Sequence, residues 1–318
     1  MTETIACLSP LTEQQVRDLA GTEEVKVLVA PEPPAPDAVR EIVAGADVVI
    51  ADMTHRHRLD RAALAAMTRC RLVQQPAVGF DVIDHLAAAE LGIPVANAAG
   101  FNADTVADWT LMGILNVVRH GARLDREMRA GGWRPTGPLQ ARDMRALTVG
   151  IVGMGNIGRQ VAARVAAFGS RVLYYDVVPR RDVPSGDPVS FDELLERSDV
   201  VTLHLPLDTG SKALIGADEL RRMRPGAILC NASRGPIVDE AALVEALESG
   251  HLGGAALDVF EVEPLAADSP LRRMENVFVN PHIAGGSEQA RANLMEQTGA
   301  NVRRVLAGEK PVNVVNGL

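Results

Sequence analysis

Residues 147–158 of this 318-residue chain read LTVGIVGMGNIG: an apolar β-branched run, then glycines at Gly153, Gly155 and Gly158, then the helical pattern NIGRQVAARVAAFG. A strand, a tight turn and a helix suit all three glycines. The first permits the turn, the second lets a pyrophosphate approach the backbone, and the third lets helix and strand pack closely. Free N–H groups at the helix start, around Asn156 and Ile157, would receive the phosphates of a dinucleotide. The next strand pattern, RVLYYD, ends in Asp176, at roughly the twenty-residue spacing where a carboxylate meets the ribose. A carboxylate there accepts ribose hydroxyls and repels a 2′-phosphate, so the expected cofactor is NAD, with NADP less favoured. Arg180 and Arg181 lie close enough in sequence to weigh the other way.

The rest of the chain repeats the same local grammar. From the N-terminus, IACLS, VKVLVA, DVVIAD, RLVQQPA and PVANA alternate with helical patterns up to about Ala98. Strict alternation means a parallel sheet covered on both faces. A helical stretch from Asp104 to Arg129, closed by Gly131 and Gly132, reads as an uninterrupted boundary element. A second series follows, LTVGIVG, RVLYYD, DVVTLHL, AILCN, GAALDV and VFVN, about six strands and enough for a complete doubly wound domain. The tail from Ser287 to Leu306 is helical again. The short PEPPAP reads as a turn before a helix, and there is no internal sequence repeat.

Composition narrows the class. A net charge of −9 argues against a nucleic-acid protein, which needs a basic face. No run approaches the roughly 18 apolar residues of a membrane helix, and the start MTETIACLSP lacks a secretion signal. Cys7, Cys70 and Cys230 are scattered and form no close pair that could clip a metal, so they read as buried thiols in a reducing cytoplasm.

In an open α/β sheet the chemistry belongs at the carboxyl ends of the strands. Just past three strands of the second series stand Arg234 in ASRG, Asp258 and Glu263 in DVFEVEPL, and His282 in PHIAGG. A guanidinium grips a substrate carboxylate in bidentate fashion and polarises the adjacent carbonyl. An imidazole gives or takes the hydroxyl proton, and a neighbouring carboxylate favours its charged form. Together they suit hydride transfer. His85, His120 and His251 fall in helical patterns without partners and read as surface or packing residues.

These residues resemble those of the D-isomer-specific 2-hydroxyacid dehydrogenases. The resemblance runs through QQPAVGFDVID, NAAGFNADTVAD, VGMGNIG, HLPLDT, NASRGPIVDEAAL, ALDVFEVEPL, NPHIAGG and PVNVVN, nearly the whole chain. It implies two doubly wound α/β domains. A flavodoxin-like substrate domain would take residues 1–100 and 288–318, and a Rossmann NAD-binding domain residues 101–287, with the active site in the cleft between them. It implies that Arg234 anchors the substrate, that His282 is the general acid/base and that Glu263, rather than Glu261, is its partner. Asp258 would orient the nicotinamide, His204 and Pro206 would wall the adenine side, and Ala232 and Thr105 would line the cofactor site. Val78 and Gly79 would receive the substrate carboxylate through their backbone, and Asn102 would line the substrate and cofactor cleft. The implied protein is a cytoplasmic homodimer acting on a small anionic 2-oxo or 2-hydroxy acid, of the glyoxylate, hydroxypyruvate or 3-phosphoglycerate kind, without a metal, membrane or nucleic-acid partner. Trp109 and Trp133, flanking the boundary helix, would anchor the dimer contact.

Departures from the family pattern are Ala99 for Pro, Asp108 for Glu and the bulky Phe101, all bearing on cleft lining and hinge geometry. The run His55, Arg56, His57 and Arg58 falls where relatives contact the far end of the substrate; it is either a solvated basic loop or a site for a second anionic group. Two alternatives to the dehydrogenase share this fold. One is phosphite oxidation by the same Arg, Glu and His, favoured over formate oxidation, which would place an amide at Glu263. The other is a non-enzymatic NAD-sensing corepressor scaffold, against which the compact length counts.

Overall fold

The computed structural model describes residues 2–31, 36–134, 141–180, 183 and 185–318. Most of the PEPPAP turn and Arg181 lie outside the described residues. The chain divides into two compact units, Met1–Asn102 with Ser287–Leu318, and Ala103–Gly286.

The first unit holds strands β1 (Glu3–Cys7), β2 (Val25–Val29), β3 (Val48–Ile50), β4 (Leu72–Gln74) and β5 (Val95–Ala96). All pair in parallel, in the order β2-β1-β3-β4-β5, the flavodoxin-like arrangement. Side chains alternate between faces, as the pleat requires. Ile5, Cys7, Val48, Ile50 and Leu72 point to one core with helix α1 (Glu13–Ala20), and Ala6, Val49 and Val73 point to the other. That second core is closed by α2 (Pro36–Val43), α3 (Arg61–Ala66) and α4 (His85–Glu90).

The second unit opens with α5 (Ala103–Arg119) and α6 (Gly121–Arg129). The expected single helix is broken at His120, whose φ of 56° is left-handed. A Cβ on Gly121, the next residue, would stand 2.8 Å from Asn116 Oδ1, so glycine there lets Asn116 pack against the turn. Strands β6 (Thr148–Val152), β7 (Arg171–Tyr175), β8 (Asp187–Pro188), β9 (Val200–Leu203), β10 (Ala227–Asn231), β11 (Leu252–Leu257) and β12 (Val277–Val279) form one parallel sheet. Its order is β12-β11-β10-β9-β6-β7-β8. Seven strands replace the expected six. The extra one, β8, is a two-residue edge containing proline, which carries no hydrophobic alternation to read.

Helices α7 (Asn156–Ala167) and α5 cover one face of this sheet. Helices α8 (Phe191–Arg197), α9 (Ala217–Arg222) and α10 (Glu240–Glu248) cover the other. The strand order reverses at β6, between β7 and β9, which makes the carboxyl ends of β6 and β9 the switch point where such sheets bind ligands. The chain then returns to the first unit through α11 (Glu288–Leu306), whose Asn301 Nδ2 donates to Gln74 Oε1 at 2.8 Å. Trp109 is a core residue and not an interface anchor. It is buried, packs beside Phe278 and donates through Nε1 to Asn280 Oδ1 at 2.8 Å. Trp133 is 79% exposed.

Each sheet is pinned at its amino edge by one buried aspartate. Asp47 accepts from Thr4 N at the start of β1 (2.8 Å) and from Arg69 Nη2 (2.7 Å), while Asp199 accepts from Thr148 N at the start of β6 (2.8 Å) and from Arg142 Nη2 (2.9 Å). Burial alone would raise the Asp47 carboxyl, but the Arg69 and Thr4 hydrogen bonds win and hold it below the usual range. Asp47→Ala leaves a buried N–H unpaired and is expected to cost about 1–3 kcal/mol in denaturant unfolding at neutral pH. Because the folded carboxyl titrates below the unfolded one, this contribution is present above the unfolded pKa of about 3.9 and fades as pH falls through the folded value. The gap between wild type and variant should close in acid.

Candidate active site

The three glycines of the β6–α7 turn show three different surroundings. Gly153 has φ 95°, and a Cβ on it would stand 2.3 Å from His204 O, so the β6 and β9 loops touch through it. A Cβ on Gly158 would stand 2.1 Å from Gly153 O. Gly155 has nothing within 4 Å of its Cβ position. Turn, close packing and an open approach are therefore divided among them as a pyrophosphate cradle requires. Gly155 is also the N-cap of α7 and offers no side-chain cap, which leaves the first N–H groups, from Asn156 onward, for an anion. Residues and cradle fit a dinucleotide.

At the end of β7, Asp176 sits beside this turn: its Oδ2 accepts from Met154 N and its Oδ1 from Val178 N (2.8 and 2.9 Å). Arg180 Nε donates to the same Oδ2 at 2.8 Å. Burial works against the Asp176 charge, and these donors more than offset it, holding the carboxyl below its usual range. At the end of β9, His204 N donates to Val152 O at 2.8 Å, and its Nε2 lies 3.0 Å from Thr202 Oγ1. Burial pushes the His204 imidazole down to about 3, so this ring is neutral. Pro206, two residues on, is exposed, and its carbonyl accepts from Ser211 Oγ. Ala232 and Thr105 are half-buried.

Three loops beyond β10, β11 and β12 carry the titratable groups. Gly235 brings the first two together, because a Cβ on it would fall 1.8 Å from Phe260 O. The Arg234 loop is shaped by Asn231, whose Nδ2 donates to Arg234 O and whose Oδ1 accepts from Ser233 N. Sequence reasoning passed over Asn231, although a polar residue ending an apolar strand just before ASRG marks it. The half-buried Arg234 donates from Nη1 to Ser233 O at 2.8 Å. Glu263 rather than Glu261 reaches the histidine: its Oε2 lies 2.7 Å from His282 Nδ1, and its Oε1 accepts from Phe260 N. Glu261 N instead donates to Glu240. Burial would raise the Glu263 carboxyl, but the His282 hydrogen bond, with the charges of His282 and Arg234, holds it low.

His282 itself has φ 55°, a left-handed backbone that a histidine adopts only under constraint. Asp258, fully buried at the end of β11, supplies it. Its carbonyl accepts from His282 N (2.8 Å), its Oδ1 from Ile283 N (2.9 Å) and its Oδ2 from Ala284 N (2.7 Å). Burial raises the Asp258 carboxyl despite those bonds.

Val78, Gly79 and Asn102 belong to the first unit. Asn97 Nδ2 donates to Val78 O at 2.8 Å, which fixes the loop after β4; Asn102 Oδ1 is buried without a hydrogen-bond partner among the described residues. The basic run after β3 splits. Arg56 and Arg58 are exposed and His55 half-buried, whereas His57 is buried with Nδ1 2.8 Å from Asp52 Oδ2. Asp52 also accepts from the backbone N–H groups of Thr54, Arg56 and His57, so one carboxylate moulds the loop. Cys7 and Cys230 are buried free thiols, and Cys70, half-buried, is also free; burial pushes all three up to about 12.

A glycine cradle at a Rossmann switch point, with arginine, glutamate and histidine on the neighbouring carboxyl-end loops, defines a nicotinamide-dependent oxidoreductase. Residues 111–284 match the family described as D-isomer specific 2-hydroxyacid dehydrogenase, NAD binding domain. The chain is 39% identical over 290 residues to a glyoxylate reductase of Korarchaeum cryptofilum, covering 89% of this chain and 87% of that one. It is 40% identical over 275 residues to an (S)-sulfolactate dehydrogenase of Chromohalobacter salexigens, covering 85% and 88%. Among solved structures, the D-lactate dehydrogenase of Aquifex aeolicus with NAD and lactic acid superposes with a TM-score of 0.84 at 28% identity, covering 96% of each chain. The chain belongs to the D-isomer-specific 2-hydroxyacid dehydrogenase family and is an oxidoreductase acting on CH–OH donors. Among the described residues no helix is long and apolar enough to cross a membrane.

The glycines give a paired prediction. Gly158→Ala drives a methyl into backbone and should lower stability by about 1–3 kcal/mol. Gly155→Ala should leave stability within about 0.5 kcal/mol, since its Cβ meets open space. It should nonetheless weaken NADH binding markedly in a fluorescence titration, because the methyl lies where the phosphates approach.

Proposed function

We propose that the chain interconverts a small 2-oxo acid and the corresponding D-2-hydroxy acid, with NAD(H) as the preferred cofactor. The observation that carries this reading is the His282–Glu263 hydrogen bond of 2.7 Å, with the Arg234 loop packed against the Glu263 loop through Gly235. Gly153, Gly155, Asn156, Ile157 and Gly158 would hold the pyrophosphate and Asp176 the ribose. His204, Pro206, Ala232, Thr105 and Asp258 would hold the rest. The nicotinamide, when bound, supplies or takes the hydride at the substrate's C2.

Every other step falls to groups of this chain. Arg234 binds the substrate carboxylate and draws charge from the C2 carbonyl. Val78 and Gly79 offer backbone N–H groups to that carboxylate, and Asn102 lines the substrate site. His282, charged at the outset of reduction, gives its Nε2 proton to the oxygen as C2 gains hydride. Glu263 keeps Nδ1 occupied and stabilises the imidazolium. The first unit is thereby the substrate domain and the second the cofactor domain. The working form is a homodimer of the cytoplasm. Symmetry base rates and the exposed Met112, Met128 and Trp133 on or just after α5 and α6 support the dimer.

His282→Ala should lower kcat by about 100-fold or more while NADH binding, read by fluorescence, stays nearly unchanged. Loss of NADH binding instead would contradict the assigned role. Reduction starts from charged His282 and oxidation from neutral His282. Reduction takes up a proton and oxidation releases one, so lower pH should favour reduction and higher pH oxidation. A panel of glyoxylate, hydroxypyruvate, and phosphorylated or sulfonated 2-oxo acids, assayed by nicotinamide absorbance, identifies the substrate. Silence across the panel with NADH bound would overturn the reading.

A further inference from the structure

The loop that carries Glu263 has little to hold it. Val259 and Phe260 are buried just past β11, but residues 261–264 are exposed, Val262 at 74%. Among the described residues one backbone hydrogen bond restrains these four: Glu261 N donates to Glu240 Oε2 at 3.0 Å. Glu263 binds back onto its own loop, its Oε1 accepting from Phe260 N, and turns Oε2 to His282. The carboxylate that meets the imidazole therefore stands on a turn tethered at Glu261.

Glu240 reaches that turn from the neighbouring loop. It is the first residue of α10, and the N-cap before it, Asp239, already accepts from Ala242 N. The half-buried Glu240 carboxylate is thus available to the chain beside it. The segment from Arg234 to Glu240 meets the Glu263 loop twice. At Gly235 the contact with Phe260 O leaves no room for a Cβ, and at Glu240 the next N–H along is taken. One such contact is a pivot; two, five residues apart on one strand of chain, also fix the angle between the loops. A small cavity lined by Asn231, Gly235, Glu240 and Val259 lies at this junction. Packing there is incomplete, and the hydrogen bond carries the contact.

We propose that Glu240 is a positioning residue: by holding Glu261 N it aims Glu263 at His282 and sets that pair against the Arg234 loop. The role needs an acceptor oxygen at the full length of the side chain, and it does not need negative charge. It rests on the reading of His282 and Glu263 as the pair that handles the proton.

A merely structural role at the start of α10 would rank the variants the other way. There an acid favours the helix through its charge, which Glu240→Asp keeps and Glu240→Gln loses. The tether is kept by Gln, whose amide oxygen accepts, and lost by Asp, which is one methylene short. The test is steady-state kcat with the panel acid that wild type reduces fastest, beside NADH affinity by fluorescence and thermal unfolding. Glu240→Ala and Glu240→Asp should lower kcat about tenfold, within the scale of a slightly misplaced catalytic group, with NADH affinity unchanged. Glu240→Gln should recover most of the wild-type kcat. If Glu240 acts through Glu263, adding Glu240→Ala to Glu263→Gln should cost less than about twofold more, since coupled sites are not additive. Should the alanine variant fail to fold, the order of Gln and Asp still decides. Asp faster than Gln, Glu240→Ala with wild-type kcat, or a full further loss in the Glu263→Gln background overturns the proposal. Glu263→Gln with wild-type kcat would instead remove the proton-handling reading itself, and this inference with it.

Discussion

The chemistry of this protein depends on a buried aspartate whose carboxylate shapes the loop that carries His282. Asp258 ends β11 with its carboxylate turned onto the next loop, where it accepts from Ile283 N and Ala284 N, and its carbonyl accepts from His282 N. Three hydrogen bonds from one residue hold His282 in a left-handed backbone that costs of order 1–3 kcal/mol when unsupported. Only from there does Nδ1 meet Glu263 at 2.7 Å. The same carboxylate pays a desolvation cost, visible as its raised pKa. Remove it, and the imidazole loses the backbone that aims it.

The carboxyl edges of both sheets share this principle: a short polar residue just past a strand folds the following loop by taking its N–H groups. Asp52 does so for Thr54, Arg56 and His57, Asp176 for Val178, and Asn231 for Ser233. The amino edges use Asp47 and Asp199 in one geometry, each clamping a first strand to its neighbour and each paired with arginine. Two units with little sequence in common therefore obey one set of rules. Apolar strands supply the cores, and single carboxylates supply the register and the loops.

Much of this was legible because it is local. The strand–glycine–helix run predicts its own turn, and Gly153, Gly155 and Gly158 each show the surroundings their spacing implies. Arg234, Glu263 and His282 stood out because each follows an apolar strand run by a few residues. What escaped was decided at long range or by backbone strain. His120 breaks the boundary helix through a positive φ that its helical pattern hides. Trp109 is drawn inward by Asn280, 171 residues away, so it serves the core rather than an interface. Strand β8 is two residues long. Of four consecutive basic residues only His57 turns inward, because Asp52 lies five positions before it, a spacing that no periodicity flags. Arg180 drew attention by proximity to Asp176, but its bond to Oδ2 is purely geometric.

The central claim is that a hydride reaches C2 of a 2-oxo acid while His282 supplies the proton. Reduced nicotinamide carrying deuterium at the transferred position, incubated in ordinary water with an accepted 2-oxo acid, tests it directly when the product is examined by NMR and chiral chromatography. The account predicts a D-2-hydroxy acid bearing the deuterium at C2, formed one for one with cofactor oxidised. Product with hydrogen from water at C2, or product of the opposite configuration, would contradict it.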